Sequence, residues 1–330
     1  MNAAPVTTVD LPVEATKTAP YRNEREVEET LRSANRCLKG LENELTEQAR
    51  DLPDPPLVFI VYVPRSGSTV LSQLLARTGH FNYISNFQAR FWLAPYVGGI
   101  VEKSLGPRDC SEIPLQSRHG LTETISSPSE FSYFWQHWLK FEDHQPHTLD
   151  DQQWRRVDLA GIRREIRQIG SLRSGPLFFK KEWLGMNAGY FLKAFPSLKV
   201  IHVRRDPADV ARSIAAARRA VYGAVDTWWA GRPAAYAQLR ELPWREQIAG
   251  QIHGILADTS RWEAAYPDRF MSIDYERLTT DVPAAFRRIG DFLNVEVPAD
   301  RLPRRLALPR RSRVADDHQL QRALADWGLG

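Results

Sequence analysis

The stretch Leu57-Val-Phe-Ile-Val-Tyr-Val-Pro-Arg-Ser-Gly-Ser-Thr-Val70 decides how the chain is read. Leu57 to Val63 is an unbroken apolar run, as a strand buried on both faces requires. A tight turn through Gly67 follows, and a helix is expected from about Thr69 to Arg77, before Gly79. Such a turn presents consecutive backbone N–H groups and the positive end of a helix to one anion. Arg65 adds a fixed positive charge, and Ser66, Ser68 and Thr69 add hydroxyl donors. A plain strand–helix connection also favours Gly and Ser, but it does not need an arginine and three hydroxyls where α/β sheets bind ligands. The nucleoside-triphosphatase form, Gly-x-x-x-x-Gly-Lys-Ser/Thr, is absent: Ser66 precedes Gly67 and no lysine follows it.

Outward from this turn, short apolar runs alternate with helical patterns. Leu177 to Phe179, Leu198 to Val203 and Phe270 to Ile273 read as further strands. Helices are expected over Met186 to Ala194, Ala208 to Arg219, Gly250 to Ala265 and Val282 to Leu293. This alternation predicts an α/β fold in three layers, with a mostly parallel central sheet covered on both faces. Three regions are expected: a flexible tail over 1–22, an amphipathic helix over 23–52 and one α/β domain over 53–330. In the helix, Val27, Leu31, Ala34, Leu38, Leu41 and Leu45 recur at spacings of four and three, ending near Asp51-Leu-Pro-Asp-Pro-Pro56. This seam either packs on the protein's own body or forms a short homodimer contact through residues 24–50.

Composition narrows the class. The 330 residues are 43% hydrophobic and 25% charged, which excludes a disordered chain. A net charge of +4 is compatible with an anionic ligand but too small to point to nucleic acid. Cys37 and Cys110 supply neither a disulfide framework nor a zinc site, so a reducing, cytoplasmic setting is expected. The apolar run at Leu57 is far short of the roughly 20 residues of a membrane span, and Met1 to Tyr21 lack the apolar core of a secretory signal.

A second informative stretch is Leu198-Lys-Val-Ile-His-Val-Arg-Arg-Asp-Pro-Ala-Asp-Val-Ala-Arg-Ser-Ile214. Arg204 and Arg205 end a strand, Asp206 suits an N-cap and Pro207 the first helical position. Ser213 lies about two turns into that helix, placing Arg205 and Ser213 to meet one ligand group across the corner. Together the two stretches resemble the sulfotransferases that use 3′-phosphoadenosine 5′-phosphosulfate (PAPS). That family has a Pro-Lys/Arg-Ser-Gly-Ser/Thr-Thr loop for the 5′-phosphosulfate, matched by Pro64-Arg-Ser-Gly-Ser-Thr69. Its later Arg, with a Ser eight residues on for the 3′-phosphate, is matched by Arg205 and Ser213. Phe179-Lys-Lys181 and Ala194-Phe-Pro-Ser-Leu-Lys-Val200 resemble the strand and helix between them, and Ile273-Asp-Tyr-Glu-Arg-Leu278 the family's Tyr-Glu-x-Leu segment.

The resemblance covers about Leu57 to Val297 and implies a P-loop-like fold. It implies that Arg65, Ser66, Gly67, Ser68, Thr69, Arg205, Ser213 and Tyr275 hold PAPS, and that Arg65 and Lys180 serve the transferring sulfuryl group. The acceptor would be a small molecule with a hydroxyl, less readily an amine, and the product adenosine 3′,5′-bisphosphate (PAP). Neither metal, membrane nor nucleic acid is formally required.

The general base is where this chain departs from its relatives. Tyrosyl-protein sulfotransferases place a Glu about twenty residues after the loop, where this chain has Asn86 and Gln88. Cytosolic enzymes use a His after the Lys180 strand, where this chain has Glu182 and Trp183. The remaining candidates are His119 and Glu130. Glu130 after Pro128 also suits the first turn of a helix, and His119 beside Gly120 suits a solvated loop. Phe131, Tyr133, Phe134, Trp135, Trp138 and Phe91-Trp92 either wall the acceptor pocket or pack the core. Arg304, Arg305, Arg310, Arg311 and Arg313 either close over the 3′-phosphate or form a solvated basic segment. Two rival functions stand beside this one. A nucleotide-dependent kinase or NTPase would use Asp274 for magnesium, and a non-catalytic anion-binding protein would dimerise through the N-terminal helix.

Overall fold

The computed structural model describes residues 17–48, 51–111, 113–298, 301–306 and 317–330. In chain order the elements begin with α1 (Arg25–Gln48), β1 (Leu57–Tyr62), α2 (Ser68–Arg77), β2 (Asn82–Tyr83) and α3 (Pro95–Ser104). Next come α4 (Ser132–Leu139), α5 (Asp151–Trp154), α6 (Leu159–Ser171), β3 (Leu177–Lys180), α7 (Glu182–Met186) and α8 (Ala188–Ala194). Then follow β4 (Lys199–Arg204), α9 (Pro207–Tyr222), α10 (Tyr236–Leu239) and α11 (Trp244–Ala265). The order closes with β5 (Phe270–Asp274), α12 (Tyr275–Thr280), α13 (Val282–Leu293) and α14 (His318–Asp326).

The sheet runs β2-β3-β1-β4-β5, and all four pairings are parallel. β1 is central and buried along its whole length, as its unbroken apolar run requires. Its side chains alternate between two cores. Leu57, Phe59, Val61 and Val63 face one with Trp135, Ile166, Phe191, Val210 and Ile252. Val58, Ile60 and Tyr62 face the other with Leu71, Leu75, Val282 and Phe286. Helices therefore cover both faces, and the three-layer α/β fold expected from the sequence is present. Among the described residues no helix is long and apolar enough to cross a membrane.

Some elements differ from expectation for local reasons. β2 is two residues long, too short to show a pattern. The helix expected over Met186 to Ala194 is divided at Asn187, into α7 and α8. The Asn187 side chain, fully buried, donates to the carbonyls of His147 (2.7 Å) and Trp183 (2.8 Å) and accepts from the Leu149 amide (2.9 Å). A side chain so engaged competes with the helical ladder. Residues 17–22, in the stretch expected as a flexible tail, are docked: the Thr18 N–H and hydroxyl donate to Val221 and Ala220 carbonyls at the end of α9, both at 2.7 Å.

Helix α1 departs most from its expected apolar seam. Leu31, Leu38 and Leu45 are half-buried, whereas Val27 and Leu41 are 42% and 45% exposed. The fully buried face carries Asn35, Glu42 and Thr46. The reason lies in what α1 packs on. Asn35 accepts from the Leu93 amide (2.8 Å) and donates to the Arg90 carbonyl (2.7 Å), and Glu42 accepts from the Tyr96 (2.7 Å) and Val97 (3.0 Å) amides at the start of α3. Polar groups on α1 thus satisfy backbone that would otherwise be buried without partners.

Beside Glu42, buried Glu165 of α6 shares a hydrogen bond with it. Burial first, then the Glu42 charge, pushes the Glu165 carboxyl well above its ordinary range, and burial also raises Glu42. An acid whose folded pKa is raised destabilises the fold as pH rises through the gap between its unfolded and folded values. Glu165→Gln removes that penalty and keeps a donor for Glu42. It is expected to raise the melting temperature near neutral pH and to leave it unchanged near pH 4, as thermal denaturation at the two pH values will test.

Candidate active site

Because β1, β3, β4 and β5 are parallel and in register, their carboxyl ends open on one edge. A cleft of about 2220 Å³ lies there. The turn after β1 forms its floor. Arg65 and Gly67 both adopt positive φ, 76° and 94°. For Arg65 this costs about 1–3 kcal/mol, a strain of the kind found at binding sites. Gly67 is required on two counts, since a Cβ there would also lie 2.1 Å from Cδ2 of Tyr275. Helix α2 starts at Ser68 with no side-chain cap, so its first amides face the cleft without one.

Two guanidinium groups converge over this turn. Arg65 Nε donates to Ser213 Oγ (2.9 Å), and Arg205 donates to the Arg65 carbonyl (3.1 Å) while lying 4.6 Å from the Tyr275 ring centre. The spacing of eight therefore brings Ser213 into the cradle, but it is Arg65 that meets its hydroxyl. Burial first, then Arg205, lowers the Arg65 pKa. Arg205 Nε is buried with no hydrogen-bond partner, and its contact with Asp209 is long, 3.8 Å. Two crowded arginines and an orphaned buried N–H fit an anion that would neutralise the first and accept from the second. Ser66 and Ser68 are buried beneath the turn, and Thr69 points to the next group.

That group centres on Lys180, the last residue of β3 and 1% exposed. Its ammonium lies 3.1 Å from Thr69 Oγ1 and 3.2 Å from Glu130 Oε1. Tyr62 donates to the same carboxylate oxygen (2.8 Å), and Lys181 holds Oε2 at 2.9 Å. Lys181 also reaches Glu182 (3.2 Å). The surrounding protein disfavours charge on Glu130, but Lys181, Lys180 and the hydrogen bond from Tyr62 outweigh it and hold the carboxyl well below its usual range. Glu130 is not in a helical first turn: α4 begins at Ser132, after Phe131 in the left-handed region. The segment is pinned instead by a bridge from Pro128 to Ser85 and by the Ser129 amide on the Ile84 carbonyl (2.9 Å), which carries Glu130 into the cleft.

His119 lines the same cleft, its Nδ1 2.6 Å from the Tyr21 hydroxyl. Burial first, then Arg65 and Arg118, lowers its pKa and favours the neutral ring. Asn86 and Gln88 serve architecture: Asn86 donates to Thr122 and Thr124, and Gln88 bonds the Pro95 carbonyl and Arg108. Phe134 and Trp135 are core residues, whereas Trp92, Phe131 and Tyr133 wall the cleft with Leu121, Ile125 and, from α1, Val27 and Leu31. Arg305 lines the cleft beside Tyr275; Arg304 gives its carbonyl to the Val282 amide, and Arg310, Arg311 and Arg313 lie outside the described residues. Asp274, 51% exposed, lies 3.5 Å from Arg277. Among the described residues no three His, Cys, Asp or Glu side chains are grouped to share a metal ion. Sequence reasoning missed Lys181, Tyr62, Tyr21 and the α1 wall. Lys181 and Tyr62 carried a signal, being next to Lys180 and last in β1, while Tyr21 carried none.

Residues 56–299 match a protein-family model described as the sulfotransferase family. The omega-hydroxy-beta-dihydromenaquinone-9 sulfotransferases Stf3 of Mycobacterium bovis and Mycobacterium tuberculosis are each 27% identical over 315 residues, covering 84% of this chain and 74% of theirs. Among solved structures, sulfotransferase STF9 from Mycobacterium avium aligns with a TM-score of 0.59 at 17% identity, over 94% of this chain and 86% of that one. Sulfotransferase STF1 from Mycobacterium tuberculosis gives 0.55 at 13%, over 95% and 88%. These two likenesses are of fold.

A crowded cationic cradle is unfavourable when empty. Arg65→Met removes one of the two crowded charges and is expected to raise unfolding stability without ligand by about 0.5–2 kcal/mol. Inorganic sulfate is expected to stabilise the wild type and this variant much less, as denaturant melts with and without sulfate will test.

Proposed function

Because this chain belongs to the sulfotransferase family, we propose that it moves a sulfuryl group from PAPS to the hydroxyl of a small-molecule acceptor. The observation that carries this reading is the position of Lys180, whose ammonium bridges the anion cradle at Thr69 and the carboxylate of Glu130. PAPS supplies sulfur already bonded to a good leaving group. The acceptor oxygen bonds to sulfur, the bond from sulfur to the phosphate oxygen breaks, and its electron pair departs with PAP.

Arg65, Ser66, Gly67, Ser68 and Thr69 hold the 5′-phosphosulfate, and Arg205, Ser213 and Tyr275 the 3′-phosphate end. Lys180 and Arg65 face the oxygen on which negative charge grows, so they lower the barrier more than they strengthen ground-state binding. Glu130 takes the acceptor proton. It is ionised over the working pH range, and the Tyr62 and Lys181 contacts orient its carboxylate. His119, kept neutral and tied to Tyr21, is assigned to the donor side, beside Arg65.

The acceptor is proposed to be largely apolar around its hydroxyl. Trp92, Tyr133, Leu121, Ile125, Val27 and Leu31 form that wall, and the named relatives act on a hydroxylated menaquinone. Leu121 and Ile125 remain 57% and 61% exposed, which suits a surface that an acceptor covers.

Calorimetric titration in EDTA tests the donor: PAP should bind tightly and ATP weakly, and the reverse preference would return the kinase reading. With an acceptor found by screening hydroxylated lipids, Lys180→Met should lower kcat by roughly 10²–10³, the usual cost of one preorganised donor. Arg205→Met should weaken PAP binding and raise KM for PAPS. Glu130→Gln should abolish turnover with PAP affinity intact. Since the Glu130 carboxyl sits below its usual range and the base must be ionised, wild-type kcat/KM should hold down to more acid pH than an ordinary glutamate would allow.

A further inference from the structure

Lys180 has two tasks that cannot be met at once. Its ammonium lies within hydrogen-bond distance of both Thr69 Oγ1 and Glu130 Oε1. When a sulfuryl donor fills the cradle, that ammonium must turn to the oxygen gaining charge. Glu130 then loses one of its two cations at the step where it must stay in place.

The neighbouring residue is arranged to prevent that. Lys181 bonds the other oxygen, Oε2, at 2.9 Å, so it does not compete with Lys180 for a lone pair. It is itself fixed, 7% exposed on its side chain, 3.2 Å from Glu182 and 4.3 Å from the centre of the Trp183 indole. Glu182, 2% exposed, balances its charge, so the two lysines and two glutamates sum to zero before a donor arrives. Tyr62 keeps Oε1 at 2.8 Å, leaving each carboxylate oxygen with one partner outside the anion cradle.

We propose that Lys181 is a positioning residue, which holds the Glu130 carboxylate at the acceptor end of the cleft while Lys180 turns to the donor. The proposal rests on the reading of Glu130 as the proton acceptor. The groups facing that carboxylate are Tyr62 from β1, Arg65 from the turn, Lys180 from β3, Lys181 beyond it and Glu182 from α7. His147 faces Lys181 in turn. Of the cations, only Lys181 contacts Glu130 and no part of the anion cradle.

The test follows the Glu130 carboxyl directly, in the full chain carrying glutamate labelled with carbon-13 at Cδ. The resonance is identified by its absence in Glu130→Gln, and it is titrated with and without PAP. In the wild type it should stay ionised through the acid range in both states. In Lys181→Met its midpoint should rise by roughly one to two pH units, and further when PAP is bound, as expected on removing an adjacent opposite charge. Lys181→Arg should restore the wild-type titration, and the acid limb of kcat/KM should move with it. Lys181→Gln serves if the Met variant does not fold. An unchanged Glu130 midpoint in the PAP-bound neutral variant overturns the proposal, since the carboxylate would then be held ionised without Lys181. Full turnover by Glu130→Gln would instead overturn the reading beneath it, whatever the titration gives.

Discussion

The register of three parallel strands is the constraint on which the rest of this structure depends. Ile60 pairs with Lys180 and Tyr62 with Val203, so the ends of β1, β3 and β4 fall within a few residues of one level. Arg65, Lys180 and Arg205 follow from three distant parts of the chain, yet each lies within a few residues of that level. Backbone hydrogen bonds between strands buried on both faces leave little freedom to slip, because a slip would move side chains between the two cores. The rigidity of the site is therefore that of the sheet, and the strained turn at Arg65 and Gly67 is held between β1, α2 and Tyr275.

Charge in the cleft is arranged in two different ways. The cradle is overcharged: Arg65 and Arg205 crowd one another, and Arg205 Nε is buried without a partner. The cluster beside it is balanced, with Lys180 and Lys181 set against Glu130 and Glu182. Overcharge favours binding of an anion, whereas balance keeps buried groups tolerable until the anion arrives. Lys180 belongs to both arrangements through Thr69 and Glu130, which couples occupancy of one to the electrostatics of the other.

Helix α1 illustrates how packing overrides periodicity. Its leucines read as a seam, but the face it buries carries Asn35, Glu42 and Thr46. The surface beneath it presents the amides of Leu93, Tyr96 and Val97, and burying those against leucine would cost more than burying Asn35 and Glu42, which accept from them. The same helix lends Val27 and Leu31 to the cleft, so its docking also shapes the cleft wall.

How much was legible follows from how local each determinant is. The α/β class, the four longer strands and the turn at Gly67 were readable because burial on both faces and a tight turn each leave a mark within a few residues. Arg65, Arg205 and Ser213 stood out as candidates from their places at strand ends and in the following helix, whereas Lys180 stood out only through the family resemblance. The division at Asn187, the placement of residues 17–22 and the polar face of α1 were not readable, since each is set by a partner far along the chain. Glu130 was legible as a candidate, but the bridge from Pro128 to Ser85 that carries it into the cleft, its two lysines and its tyrosine were not. The sequence by itself determined which elements form and which residues end them, because those depend on neighbours in the chain. Only the tertiary structure decided which charges share a site and which oxygen each lysine holds, because those depend on distances that the sheet alone imposes.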